Sequence, residues 1–115
     1  MDNEELITRF PWLGFLSEVA KNIVETLMEK ERHYEGSWQK RGGVGAFMMM
    51  CRKWDRIESI TARQGYDIFA AQESNDGDIG DDLDDLIGYL LLIRAEHRRR
   101  VAEGDMKISA SKAIR

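Results

Sequence analysis

The strongest constraint on this fold is the spacing of the apolar residues. In three long stretches they recur every three or four positions, the period of one helix face, and no strand-length alternation competes with it. The first stretch runs from Pro11 to about Tyr34 and carries Leu16, Val19, Ala20, Ile23, Val24 and Leu27. The second runs from about Val44 to Arg63, with Phe47, Met50, Trp54 and Ile57 widened by Ala46, Met49 and Ile60. The third runs from about Ile79 to Ala102, with Leu83, Leu86, Ile87, Leu90, Leu91 and Ile93 turned inward. The single proline, Pro11, falls at the start of the first helix, where its missing N–H is not needed. "EGSWQKRGGVG" (Glu35 to Gly45) breaks the chain between the first two helices. Gly65 is read as the end of the second helix and Gly104 as the end of the third, after the cations of "EHRRR". Tyr66 to Ser74 reads as a short helix or a turn, and Asn75 to Gly80 as a loop. The expected class is all-α: an antiparallel helical bundle in one domain, residues 1–104, with a short polar tail, 105–115.

A chain of 115 residues buries only part of its unfolded surface, so completion of the core by oligomerisation is expected, as a homodimer or a dimer of dimers. The net charge of −4 argues against non-specific nucleic-acid binding. No apolar run approaches the roughly 18 residues that span a membrane. One cysteine, Cys51, cannot form an internal disulfide, and "MDNEELITRF" lacks the basic start of a leader, so the cytoplasm is the expected compartment.

The residues that suggest chemistry are acidic. "DIGDDLDDLIGYLLL" (Asp78 to Leu92) places five aspartates in eight residues and then runs into an apolar helix. A helix start accounts for two or three of them. Asp82 and Asp85 lie deeper, beside the apolar stripe. Asp55 and Glu58 on the second helix have the same spacing, about 60° apart around the axis and one turn along it. If the two helices pack antiparallel, the two pairs can face one another. Four carboxylates in one partly buried place repel unless a cation sits among them. Lys or Arg can supply it, and Mg²⁺ or Mn²⁺ suits the hard oxygen donors better. On this reading, substitution at Asp82 or Asp85 abolishes turnover and raises stability by relieving repulsion.

"KWDRIES" and "DDLDDLIGYLL" resemble the MazG-like nucleoside triphosphate pyrophosphohydrolases, relatives of the all-α dUTPases, whose pattern is EExxE on one helix and ExxD on the next. The likeness covers roughly residues 12 to 100. Asp55 and Glu58 match the last two acids of EExxE, and Asp82 and Asp85 match ExxD. Trp54 stands where the pattern has its first glutamate, and aspartate replaces glutamate at 55 and 82. "YEGSWQKRGGVGAFMMMCRKWDRIE" is similar to phage-encoded members of the group that act on dATP and dGTP, which implies a purine deoxynucleotide substrate and a host cytoplasm.

The expected reaction is cleavage of a (d)NTP to (d)NMP and pyrophosphate. Asp55, Glu58, Asp82 and Asp85 are the expected metal ligands, with Glu58 or Asp82 as general base. Lys40, Arg41 and Lys53 are candidate phosphate contacts. Trp38 is a candidate platform for the base, as is Tyr89, whose matching position in related enzymes contacts nucleotide. Trp54 is read as core, the "FMMM" run as core and dimer contact, and Glu31 as a solvated charge. Cys51 has no partners for a nucleophile's role. The alternative is a non-catalytic oligomeric helical interaction module, for which metals change nothing.

Overall fold

The computed structural model describes residues 1–74 and 79–114, with side chains as far as 104. Among the described residues every regular element is helical. The chain divides into two compact units, Met1–Lys40 and Arg41–Arg115.

The first unit opens with a helix that the apolar spacing does not announce, α1 (Asn3–Arg9). Asp2 caps it, its carboxylate accepting the Glu5 N–H at 2.8 Å, and Glu4 and Glu5 sit in the first turn, where acidic charge suits the dipole. Pro11 begins a 3-10 turn, Pro11–Phe15, rather than the long helix. That helix, α2 (Leu16–Tyr34), follows directly. It ends through two successive left-handed residues, Glu35 (φ 48°) and Gly36 (φ 77°). Glu31 is not a free surface charge: its Oε2 accepts the Gly36 N–H at 2.7 Å and holds this exit. A 3-10 turn, Ser37–Gln39, closes the unit.

The second unit is built from α3 (Gly42–Ala62), α4 (Ile68–Glu73) and α5 (Ile79–Ile114). Tyr66 to Ser74 thus resolves as a short helix with a capped start. The Asp67 carboxylate accepts from the N–H groups of Phe69 and Ala70 at 3.0 and 3.1 Å. The core is small: Ile60, Ala71 and Ile79 are buried together, with Ile68 and Leu83 packed against them. Each comes from a different one of the three helices, so α4 seals the end of the α3–α5 pair. Ile57, at 2 % exposed, continues the buried face along α3.

Three expectations are corrected. Trp54 is 54 % exposed and Phe47 60 %, so neither is core in this chain, and Ile87, Leu90 and Leu91 are also exposed. Gly104 does not end α5, which continues without a break to Ile114. One glycine in a long run costs only about 1 kcal/mol relative to alanine, less than stops a helix. The Asn75–Asp78 part of the expected loop, with Asp78, lies outside the described residues, and Ile79 and Gly80 already belong to α5. No helix among the described residues is long and apolar enough to cross a membrane.

Candidate functional site

Helix α3 meets α5 along a strip that starts apolar and becomes charged. Moving from the Ile60–Ile79 contact toward the N-terminus of α3, the next inward positions are Ile57, Arg56 and Lys53. Helical geometry puts these four residues within one sector of the helix. Opposite them on α5 come Ile79, Asp82 and Asp85. Arg56 Nε donates to Asp82 Oδ2 at 3.0 Å. Lys53 Nζ lies 2.8 Å from Asp85 Oδ2 and 3.7 Å from Asp82 Oδ1. A step of three residues down α3 answers a step of three up α5, which makes the two helices antiparallel.

Asp82 is the centre of this arrangement. It is 4 % exposed and carries cations on both oxygens. Lys53 and Asp85 are about a quarter exposed, while the Arg56 side chain reaches solvent over most of its surface. The hydrogen bond that Lys53 donates to the Asp85 carboxylate raises the Lys53 pKa above its ordinary value. Burial opposes the rise, and the charges of Asp85, Asp82 and Tyr89 add to it. Tyr89, one turn beyond Asp85, therefore stands near the same ammonium. Asp82, Asp85, Lys53 and Arg56 are brought together as a group, with Tyr89 one turn farther along α5.

The other expected site residues are not part of it. Asp55 and Glu58 are exposed. Their positions fall on the side of α3 opposite Lys53, Arg56 and Ile57. Two residues one turn apart cannot join Asp82 and Asp85 across a seam from which their own helix turns them away. Among the described residues no three acidic, histidine or cysteine side chains converge to hold a metal ion. The donor set in one chain thus does not fit a four-carboxylate Mg²⁺ or Mn²⁺ site, because Lys53 and Arg56 take the places beside Asp82 and Asp85. Arg41, exposed before the first turn of α3, is twelve residues from Lys53, about 18 Å along the helix. Trp38, partly buried, and Lys40, exposed, belong to the first unit.

Arg56 is the site residue that sequence reasoning missed. The signal was present: 53, 56, 57 and 60 share one helical sector, so a stripe drawn through Ile57 and Ile60 passes through both cations. Comparison with protein-family models, with curated proteins and with solved structures gives no match.

Proposed function

We propose that this chain is a nucleoside triphosphate pyrophosphohydrolase of the MazG-like kind, converting a (d)NTP, with dGTP or dATP favoured, to the monophosphate and pyrophosphate. The resemblance of "KWDRIES" and "DDLDDLIGYLL" supports the reaction, and "YEGSWQKRGGVGAFMMM" supports the purine substrate. The observation that carries the reading is Asp82. A carboxylate 4 % exposed, at the mouth of a two-helix seam with Asp85, Lys53 and Tyr89 around it, is a costly arrangement for a small domain to hold. Its parts suit a phosphoanhydride. Lys53 is a cation that triphosphate oxygens can compete for against Asp85. Asp82 or Asp85, once released from that cation, can accept a proton from water. Tyr89, one turn beyond Asp85 on α5, is the proposed contact for the base. Trp38, Lys40 and Arg41 remain proposed nucleotide contacts on the strength of the resemblance.

Dependence on Mg²⁺ or Mn²⁺ follows from the resemblance and not from donor geometry, since Asp55 and Glu58 face away from Asp82 and Asp85. An antiparallel bundle completed by a second copy, as a homodimer or dimer of dimers, belongs to the same reading, and so does the cytoplasmic setting.

One observation favours the second reading, a non-catalytic helical module. Lys53 and Arg56 already neutralise Asp82 and Asp85, as an ion-pair network that only fixes two helices would. Product analysis separates the two. Each NTP and dNTP is incubated with the protein in Mg²⁺, in Mn²⁺ and in chelator, and monophosphate and pyrophosphate are quantified. The hydrolase reading expects both products in equal amounts, with Asp85→Asn inactive. No product from any nucleotide, or full activity in Asp85→Asn, rejects the reaction or the site respectively.

A further inference from the structure

Helix α3 carries a second stripe besides the one that meets α5. Val44, Phe47, Cys51, Trp54 and Glu58 follow one another at alternating steps of three and four. This is the spacing of a seam between two helices. Helical geometry gathers the five positions into a sector of about 80°, turned away from Lys53, Arg56 and Ile60. Val44, Phe47 and Trp54 are each more than half exposed, and Cys51, at the middle, is partly buried. From Val44 to Glu58 the stripe is about 21 Å long.

The two ends of the stripe differ in charge. The C-terminal end holds the exposed carboxylates of Asp55 and Glu58. The N-terminal end is positive: Arg41 precedes the helix, no side chain caps it, and its first turn has no acidic residue. The N–H groups of that turn, which a helix cannot pair within itself, form the positive end of the dipole. Gly42 and Gly43 put no side chain in front of them, and the space beside both is open.

The stripe therefore runs from positive through apolar to negative, and a copy of itself turned end for end complements it. We infer that α3 packs antiparallel on α3 of a second copy of this chain, about a two-fold axis that passes Cys51. Val44 and Glu58 are each seven residues from Cys51, so Val44 opposes the partner's Glu58. That carboxylate reaches the uncapped first turn, where negative charge is favoured. Trp54 stands one residue out of register with the partner's Phe47, so the large rings pack on either side of the small Cys51 pair. A parallel arrangement instead sets Glu58 against the partner's Glu58 and leaves both N-termini without an acidic neighbour. Charge and side-chain size thus select the same partner, an inverted second copy. The inference names the face that holds the homodimer proposed above, and it is independent of hydrolysis.

Cys51 makes the register testable, because the chain has no other thiol. Helix axes about 10 Å apart, with Cα atoms about 2.3 Å from each axis, bring the two Cys51 Cα atoms to about 5 Å, within disulfide reach. Three proteins are compared without nucleotide: the full chain, Val44→Cys/Cys51→Ser and Phe47→Glu/Trp54→Glu. Circular dichroism establishes that each is folded, sedimentation equilibrium gives its Kd, and copper–phenanthroline in air oxidises adjacent thiols before a non-reducing gel. The full chain is expected to dimerise and to cross-link into a dimer that reductant reverses. Val44→Cys/Cys51→Ser is expected to dimerise without cross-linking, because its two thiols lie about 21 Å apart along an antiparallel seam. Phe47→Glu/Trp54→Glu keeps Cys51, yet is expected to associate at least about tenfold more weakly and to lose the cross-link. A full chain that stays monomeric overturns the proposal, as does a dimer that Cys51 does not link. So does a cross-link through Val44→Cys, or a Phe47→Glu/Trp54→Glu protein that associates as tightly as the full chain. Should that last variant fail to fold, the two cross-linking results still decide it. None of these readouts involves turnover, so the hydrolase reading stands or falls separately on its products.

Discussion

At Asp82 the energetic balance is asymmetric. Two carboxylates one turn apart repel, and that repulsion alone makes substitution at either one stabilising. The structure reverses the expected sign, because each is paired with a cation: Lys53 with both and Arg56 with Asp82. Removing the anion leaves cations that solvent can reach, whereas removing Lys53 leaves a buried anion one partner short, and an uncompensated buried charge is the costlier result. Asp82→Asn is therefore expected to destabilise by about 1 kcal/mol and Lys53→Met by about 2 kcal/mol, values between those of exposed and buried pairs. Urea midpoints of the three proteins decide it, and a more stable Asp82→Asn restores repulsion as the dominant effect. The pH dependence follows from Lys53. Its folded pKa is raised above the unfolded 10.5, chiefly by the hydrogen bond to Asp85, so its contribution is fully present below 10.5 and is lost as pH rises through the folded value. The stability difference between the full chain and Lys53→Met should be flat from pH 6 to 9 and shrink above 10.5. Asp82 and Asp85 were legible beside an apolar stripe. Lys53 was legible as a candidate phosphate contact but not as their partner, because helical period gives a residue's side of its own helix and says nothing of which residue the next helix sets against it.

Helix α4 shows how a short element is fixed. Six residues are too few to be helical alone. Two things hold them: Ala71, fully buried against Ile60 and Ile79, and the Asp67 cap. Loss of an N-cap costs about 1 kcal/mol. Asp67→Ala is expected to lower stability by that amount while Asp67→Asn, which keeps an acceptor oxygen, retains most of it. Equal losses in both variants, read from denaturation midpoints, remove the cap as the cause. The three long helices were legible because their apolar period extends over five or six turns. Helix α1 was not, since its seven residues hold too few apolar positions to show a period, and only the Asp2 cap with Glu4 and Glu5 marks its start. The C-terminal extension of α5 was missed for another reason. Gly104 was read as a stop, but a glycine stops a helix when it takes a left-handed conformation, and Gly104 remains helical.

Among the described residues the buried apolar side chains are few, and none is aromatic. Among the described residues the buried hydrophobics are Ile23, Ala46, Ile57, Ile60, Ala71 and Ile79, while Trp12, Phe15, Phe47, Trp54 and Phe69 are each more than half exposed. Full burial of one large side chain contributes about 1.5–3 kcal/mol, so five such rings outside the core forgo an amount comparable with the whole stability of a small domain. If a second copy covers these rings, stability depends on concentration, since mass action favours the associated state. For a dimer, a hundredfold rise in concentration adds about 2.7 kcal/mol per dimer. Over two chains of 115 residues that is roughly a 5 °C rise in Tm. Calorimetry at 2 and 200 µM protein measures it, and a flat midpoint means that a second copy does not cover the rings. Repeating the pair at 500 mM NaCl separates apolar burial from charge pairing between copies. Salt screens charge pairs but leaves apolar burial intact, so the rise with concentration should persist there even as the absolute midpoint shifts.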